Sequence, residues 1–480
     1  MDIRCLFSES RSYLAVVLKC LVTSASVCLS TDDPCIVVCE DTCVLLVSAG
    51  ICGDLTVLDI ILCKLKIIIL VCFVVFFNLA CKSLPDNVDK ENDNQKEEKK
   101  DFVVLNIPEP LMLDPYQTEF TGDGTFHEAG FIAKDMKLGL NLGNTMEAYA
   151  AGNCEKITYT WIPVIGSNTP SNYETCWGSP VITQEMVDGI KAAGFNTVRI
   201  PVFWGNMMKN DGTWTINPDY INRVREIVDY CMKNDLYAVV NIHHFDEFII
   251  RRYNLEDCRT IFTNLWTQIA SYFQNYSEKL VFEGFNEYLG GKQFDSNGYL
   301  RDLRIDDAYK LTNAMNKAFV DAVRSTGGNN SERVLIISGY WTNIDRTTSS
   351  KFIVPEDIAE NKLMVSVHYV DNAMYWSNQI GGQNWVNYID SQCVLLDKAF
   401  TSKGIPVFLG ETTAGYPAER ITGSLYKKSH ECLEYVLNKL IEHGFVPVIW
   451  DTHNDNSFYD RNNCCIRDVN DKEVIENITL

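Results

Sequence analysis

Positive charge is in short supply in this chain. Its 42 Lys and Arg are outnumbered by 63 Asp and Glu, which leaves a net charge of −21. Phosphate backbones are bound by clustered cations, so this balance argues against a nucleic-acid partner. It suits a soluble body acting on a neutral ligand. No Gly-x-Gly-x-x-Gly follows an early strand pattern, which weighs against a doubly wound, dinucleotide-binding sheet. No internal repeat is found, which argues against a repeat architecture. The eight cysteines beyond residue 81 show no metal-ligand spacing. Among them Cys154 and Cys176 fit a disulfide flanking a loop, and Cys464-Cys465 is a vicinal pair.

The N-terminal part has a different character. Ten of the 18 cysteines lie in residues 1–81. Residues 64–81 run from Lys64-Leu65-Lys66 through an apolar stretch, Ile67 to Phe77, to Asn78-Leu79-Ala80-Cys81. A basic start, an apolar core and a small-residue end form the pattern of an export signal. The Leu79-Ala80-Cys81 end is similar to a bacterial lipobox, with its leucine one place nearer the cysteine than usual. Lipid on Cys81 would anchor the protein to a membrane. Residues 1–62 are apolar and precede this signal, so we expect the true start to lie nearer Lys64. Residues 83–101 are charged and almost free of large apolar side chains. They cannot bury enough surface to fold, and they read as a tether. Residues 102–130 read as an irregular lead-in, with Pro108 and Pro110 breaking any helix. The expected organisation is therefore 1–82 apolar segment, 83–130 linker and lead-in, and 131–480 catalytic body.

From about residue 131, short apolar runs alternate with longer amphipathic ones. Strands are predicted at Leu138–Leu142, Thr197–Pro201, Tyr237–Ile242, Leu280–Phe285, Val334–Ser338, Met364–Val367, Pro406–Leu409 and Val446–Ile449. Helices are predicted near Gln184–Ala193, Ile221–Asn234, Ile261–Tyr272, Ala308–Ser325, Trp385–Lys403 and Ser429–His443. This alternation implies parallel βαβ units with right-handed crossovers. Eight such strands fit an α/β fold of the (β/α)8 TIM-barrel type.

Polar residues recur where the predicted strands end. They are Asn141 and Asn144, Arg199, His243 and His244, Asn286 and Glu287, His368 and Tyr369, Glu411, and Trp450 with Asp451. In a barrel these ends converge on one mouth. Two glutamates 124 residues apart, Glu287 and Glu411, would face each other there. Two facing carboxyls are the machinery of glycoside hydrolysis. One must be protonated near neutrality and the other anionic, so a cation should lie beside the second.

These residues resemble glycoside hydrolase family 5, the cellulase-rich family of retaining β-glycanases, over about 131–480. The Arg199 motif, His243-His244, Phe285-Asn286-Glu287, Val367-His368-Tyr369, Leu409-Gly410-Glu411-Thr412 and Ile449-Trp450-Asp451 stand in the family's order. Gly139-Leu140-Asn141-Leu142-Gly143-Asn144-Thr145 and Asp460-Arg461-Asn462 look like the endoglucanase and xyloglucanase branch. The resemblance implies Glu287 as acid/base and Glu411 as nucleophile. It implies Asn286 at the sugar 2-hydroxyl and Arg199 beside Glu411, holding it ionised. His243 and His368 would orient substrate and carboxyls, and Trp450 would be the sugar platform.

One position departs from the family. A tyrosine usually stands two residues after the sixth-strand histidine, touching the nucleophile. Here that position is Val370, and Tyr369 comes one residue early. Successive strand residues face opposite ways, so Tyr369 is expected to miss Glu411 unless a bulge re-aims it. Tyr375 is the substitute. His243-His244 with Asp246 and Glu247 lacks metal-site spacing, and no metal or cofactor is expected. Aromatics crowd the predicted loop face: Trp161, Tyr173, Trp177, Trp204, Trp214, Tyr340, Trp341, Tyr375 and Trp376. Trp341 and Trp376, near strand ends, are the expected sugar subsites, while others would serve local packing. Three sequons, at Asn275, Asn329 and Asn477, matter only in a eukaryotic secretory host.

The expectation is an exported, monomeric endo-β-1,4-glucanase acting on cellulose or a related β-glucan. Xyloglucan, mixed-linkage glucan (lichenase activity) and mannan are the alternatives. A non-catalytic carbohydrate-binding barrel is a further alternative, supported only by the displaced tyrosine.

Overall fold

The computed structural model describes residues 38–39, 43–44, 109–150, 167–209, 213–245, 250, 253–287, 289–295, 297–376, 379–454 and 457–479. The signal-like segment with Cys81, the tether, Cys154, Trp161, Asp246 and Glu247 lie outside the described residues. The chain divides into two units, 1–94 and 95–480. Within the first, Val38–Cys39 and Cys43–Val44 pair antiparallel.

The second unit is built on eight parallel strands closed into a barrel in chain order. They are β1 (Gly139–Asn141), β2 (Thr197–Ile200), β3 (Tyr237–Asn241), β4 (Leu280–Glu283), β5 (Leu335–Ser338), β6 (Leu363–His368), β7 (Val407–Thr412) and β8 (Val446–Ile449). Every one lies at a position expected from an apolar run. Six long helices occupy the predicted crossovers, including Pro218–Lys233 and Leu255–Tyr272. Local sequence explains their starts. Asn217 caps Pro218–Lys233 by accepting from the Asp219 amide, with proline at the first helical position. Asn254 caps Leu255–Tyr272 by accepting from the Asp257 amide. The crossover from β5 to β6 carries no long helix, just a 3-10 turn, Tyr340–Thr342, and a four-residue α-helix, Ile344–Thr347.

Two cores follow from strand alternation. Outward side chains pack against the helices in one large cluster. Inward side chains near the strand starts form a second cluster, with Val239, Val281, Ile336, Met364, Phe408 and Val448 among them. Helix α1 (Ala129–Met136) closes that end of the barrel and was not expected from sequence. Its Ile132 and Met136 are fully buried there, each contributing roughly 1.5–3 kcal/mol. The lead-in also docks on the barrel: the Leu111 and Leu113 amides donate to Asn264 and Ser271 on helix Leu255–Tyr272. With the strand-start end plugged by apolar groups, the open mouth at the strand C-termini is left for polar chemistry.

Candidate active site

β7 carries the carboxylate whose direction a bulge decides. Phe408 faces the inner core and Leu409 faces the helices. Strict alternation would send Gly410 inward and Glu411 outward. Both neighbours register an extra residue here. Val367 pairs with Leu409 but His368 with Glu411, and Leu409 pairs with Pro447 but Thr412 with Ile449. Gly410 is the extra residue, and the bulge turns Glu411 into the mouth. Only glycine fits: a Cβ at 410 would lie 2.7 Å from His368 Nε2 and 3.0 Å from Ser366 Oγ.

Glu287 lies just beyond β4 and is partly exposed. Its Oε1 is 2.6 Å from His368 Nδ1 and 3.5 Å from the Thr342 hydroxyl. His368 Nδ1 is 3.7 Å from Glu411 Oε2. One oxygen of each glutamate and one imidazole nitrogen lie within 4.8 Å of one another. Retaining glycosidases hold their carboxyls about 5–5.5 Å apart, whereas inverting ones need about 6.5–9.5 Å. The spacing here belongs to the first class. The same three groups could bracket a cation, but Arg199 already places a positive charge on Glu411, and we assign no metal.

Arg199 is fully buried and ties four strand ends together. Its Nε donates to Glu283 Oε2 at 2.7 Å. Nη1 donates to Asn141 Oδ1 at 3.0 Å and Glu411 Oε1 at 3.2 Å. Nη2 donates to Asn286 Oδ1 at 2.7 Å, which leaves the Asn286 amide N–H free to face a ligand. Glu283 is a member of this network that sequence reasoning missed. The available signal was an acidic side chain inside an otherwise apolar strand.

Tyr369 reaches Glu411 after all. Its hydroxyl donates to Glu411 Oε2 at 2.5 Å. Two departures from regular strand geometry overturn the expectation that it would miss: the bulge beside it and its own backbone φ of +48°. Tyr375, the substitute, is 77% exposed and is not needed. Left-handed backbone recurs around this mouth, at Asn144, His244, Trp341, Thr342 and Tyr369. Such strain is tolerated where surrounding contacts over-determine it, typically at functional sites.

Electrostatics in the cleft set the two carboxyls apart. Burial pushes the Glu411 carboxyl up, the Glu287 charge adds to this, and His368 and Arg199 only partly oppose it. Burial also pushes Glu287 up, but the His368 bond and charge outweigh it, with help from Arg199, and leave Glu287 below its ordinary value. Arg199 lowers the Glu411 carboxyl as expected, but burial outweighs it. Arg199 directs its shorter carboxylate bond to Glu283, while His368 sits on Glu287. Two groups this close titrate as a pair.

The sugar side of the mouth is built by β3 and β8. Burial and the neighbouring His244, Arg199 and His368 keep His243 well below its ordinary value, so its imidazole is neutral. Asn241 Nδ2 lies 3.2 Å from His243 Nδ1. The amide can only donate, so the His243 proton is on Nε2. Trp450 stacks on His243 at 16° and 6.2 Å between centroids. Gly143 makes room for it, since a Cβ there would lie 2.9 Å from the Trp450 ring. His244 is turned away among Tyr149, Trp177 and Phe203, and burial pushes it down to about 4.

Other expected site residues fall further out. Asn144 is not drawn into the Arg199 network; its backbone N–H donates to Glu147, and Asn141 takes the inner position. Trp341 lies beneath Arg346, 4.3 Å from ring centroid to guanidinium, and adjoins Thr342, which contacts Glu287. Trp376 packs on Tyr388 at the rim. Trp204, Trp214, Tyr173 and Tyr340 are buried, so they are packing residues and not a sugar-binding face. Cys176 is a free thiol, against the expected disulfide, and Cys464 and Cys465 are free as well.

Known proteins are similar to this chain. A family model described as Cellulase (glycosyl hydrolase family 5) matches residues 161–456. Endoglucanase A of Clostridium longisporum is 34% identical over 343 residues, 68% of this chain and 60% of that protein. The chain thus spans about three fifths of that relative's length. The xyloglucan-specific endo-beta-1,4-glucanase BoGH5A of Bacteroides ovatus is 27% identical, over 75% of this chain and 72% of that protein. Among solved structures, a GH5-4 broad specificity endoglucanase from an uncultured bovine rumen ciliate superposes with a TM-score of 0.60. It is 31% identical and covers 74% of this chain and 98% of its own.

Proposed function

The chain belongs to glycoside hydrolase family 5, and from that premise we propose that it is an endo-β-1,4-glucanase that cleaves internal links of cellulose or a related β-glucan with net retention. The observation that carries the reading is the pair of carboxylates with His368 between them, inside 4.8 Å. Glu411 is the nucleophile and Glu287 the acid/base. Glu411 attacks the anomeric carbon while the Glu287 proton passes to the departing glycosidic oxygen, and the C–O bond breaks. The sugar is then an ester on Glu411. That ester removes the Glu411 charge, so Glu287 is free to take a proton from water as the water attacks. Hydrolysis restores the Glu411 carboxylate and the proton on Glu287.

The remaining roles follow from position. The free Asn286 N–H meets the sugar 2-hydroxyl, the His243 Nε2–H reaches into the cleft, and Trp450 offers its face to the ring at the cleavage point. Trp341 and Trp376 flank the cleft as outer platforms. Xyloglucan, mixed-linkage glucan and mannan are the competing substrates, since loops beyond the strand ends set that choice. The non-catalytic reading loses its support, because the tyrosine behind it bonds to Glu411.

We further propose that the catalytic body, 131–480, is exported and held off a membrane by the 83–101 tether, through Cys81 or the 64–81 segment. Among the described residues no helix is long and apolar enough to cross a membrane. Metabolic lipid labelling of wild type against Cys81→Ser checks the Cys81 route, and equal labelling would leave only the 64–81 segment as the anchor.

The test of activity is hydrolysis of a soluble cellulose derivative, xyloglucan, mixed-linkage glucan and mannan, with product anomers followed by NMR. Wild type should release β-anomers first, and Glu411→Ala should be inactive. Equal rates for the two proteins would overturn the reading.

A further inference from the structure

Beneath the reacting carboxyls lies a third one that the double-displacement scheme leaves unused. Glu283 is fully buried on β4, four residues before Glu287. It is not an orphaned charge. Oε2 accepts from Arg199 Nε at 2.7 Å and from Asn241 Nδ2 at 3.1 Å, and Oε1 accepts from the Ser366 hydroxyl at 2.8 Å. These partners come from β2, β3 and β6. Asn241 and Ser366 each stand two residues before a cleft histidine, His243 and His368, and so share its side of the strand. Glu283 is thus the hub of the layer that supports the catalytic layer.

Arg199 is the link upward. A guanidinium is planar, so fixing Nε fixes the directions of both Nη groups. With Nε held by Glu283, Nη1 reaches Glu411 and Nη2 reaches Asn286. The nucleophile and the 2-hydroxyl ligand therefore take their places from one anchored plane.

Resting on the proposed retaining mechanism, we infer that Glu283 is a positioning residue: it aims Arg199 at Glu411 and Asn286 and shares the arginine's charge with the nucleophile. A buried cation facing two carboxylates stabilises each less than it would one alone. Glu283 thus keeps Glu411 basic enough to attack while holding it in line.

The charged and titratable groups around this pair are Arg199 from β2, His243 after β3, Glu287 after β4, and His368 and Tyr369 at the end of β6. Replacing Glu283 by Gln leaves all of them in place. The Gln carbonyl oxygen can accept from Arg199 and Asn241, and its amide can donate to Ser366 Oγ, which accepts as readily as it donates. Shape is kept and one negative charge is lost. The full Arg199 charge then falls on Glu411 and favours its anion.

The experiment is the pH profile of kcat/KM on an aryl β-cellobioside, whose good leaving group needs little acid assistance. The acidic limb then reports Glu411. For E283Q we expect that limb to move to lower pH by roughly one unit. For E283A, which also releases Arg199, we expect kcat to fall roughly 100-fold with KM nearly unchanged. An E283Q profile superimposable on wild type, or an E283A kcat equal to wild type, would overturn the inference. So would an E283Q chain that is unfolded by circular dichroism, since Glu283 would then be a determinant of folding alone. Wild type and Glu411→Ala run alongside. Absence of wild-type turnover sinks the endoglucanase reading itself, whereas turnover with an unmoved E283Q limb sinks only the role of Glu283.

Discussion

Tyr369 and Glu411 meet through a 2.5 Å hydrogen bond that regular strand geometry forbids. The tyrosine is re-aimed by its left-handed backbone, and the glutamate by the bulge at Gly410. Burial and the Glu411 charge keep the phenol far above its ordinary range, so it remains a proton donor throughout the working pH. It holds Glu411 Oε2 while Arg199 holds Oε1. Tyr369→Phe removes one charge-assisted bond of roughly 1.5–3 kcal/mol. We expect kcat on soluble cellulose to fall roughly 10- to 100-fold, with the melting temperature nearly unchanged. A wild-type kcat would show that Arg199 alone suffices.

Glu287 should show a leaving-group signature. In Glu287→Ala the nucleophile is intact but no proton reaches the departing oxygen. Turnover of unactivated β-glucan should fall by about 10²–10⁴-fold, and that of a dinitrophenyl cellobioside much less. Azide added to the variant should attack the glycosyl ester on Glu411, expel the carboxylate and give a β-glycosyl azide. Mass spectrometry and NMR of the product check this. An α-azide would mean that no ester on Glu411 had formed.

The barrel was legible because each buried strand is a short apolar run closed by a polar residue, and eight runs in series leave few topologies. Glu287 and Glu411 were legible as the polar ends of such runs. The Tyr369–Glu411 contact was not, because alternation assumes a regular ladder: the residue inserted at Gly410 reverses Glu411, and a left-handed backbone turns Tyr369. Glu283 escaped for a related reason. Inside Leu280–Phe285 it reads as part of an apolar strand, and only closure of the barrel brings Arg199, Asn241 and Ser366 around it. Helix α1 escaped because it straddles the boundary drawn at 130/131 between lead-in and body, and its apolar face gains meaning only against the inner core.

Asp451, beside the Trp450 platform, should make stability depend on pH. Its Oδ1 accepts from the Phe458 and Tyr459 amides, while Oδ2 has no hydrogen-bond partner among the described residues and lies 3.8 Å from Arg461. Burial pushes its carboxyl up from 3.8 to about 6, so the folded state binds this proton more tightly than the unfolded chain. The resulting stabilisation is complete below about pH 4 and is lost as pH rises through 6. Over that window it amounts to on the order of 3 kcal/mol. Asp451→Asn keeps the accepting oxygen and removes the titration. Urea unfolding at pH 4, 5, 6 and 7 should show the variant gaining on wild type across this range. A constant difference would mean that Asp451 is ionised throughout.

Gly410 gives the most direct test of the bulge. It stands beside the nucleophile, and its missing side chain is the space that His368 Nε2 and Ser366 Oγ approach. Both are inward-facing groups pinned from the other side, His368 by Glu287 and Ser366 by Glu283. A methyl at 410 cannot be absorbed by either without breaking one of those bonds. The alternative is that β7 slips back into regular register, which would turn Glu411 toward the helices. Either route displaces a reacting group by about 1 Å or more, enough to cost roughly 100-fold in kcat. We therefore expect Gly410→Ala to be nearly inactive while remaining folded by circular dichroism. Gly415→Ala, four residues beyond the nucleophile where a Cβ would meet nothing within 4 Å, should keep wild-type kcat. An active Gly410→Ala would show that β7 can deliver Glu411 without the close approach to His368.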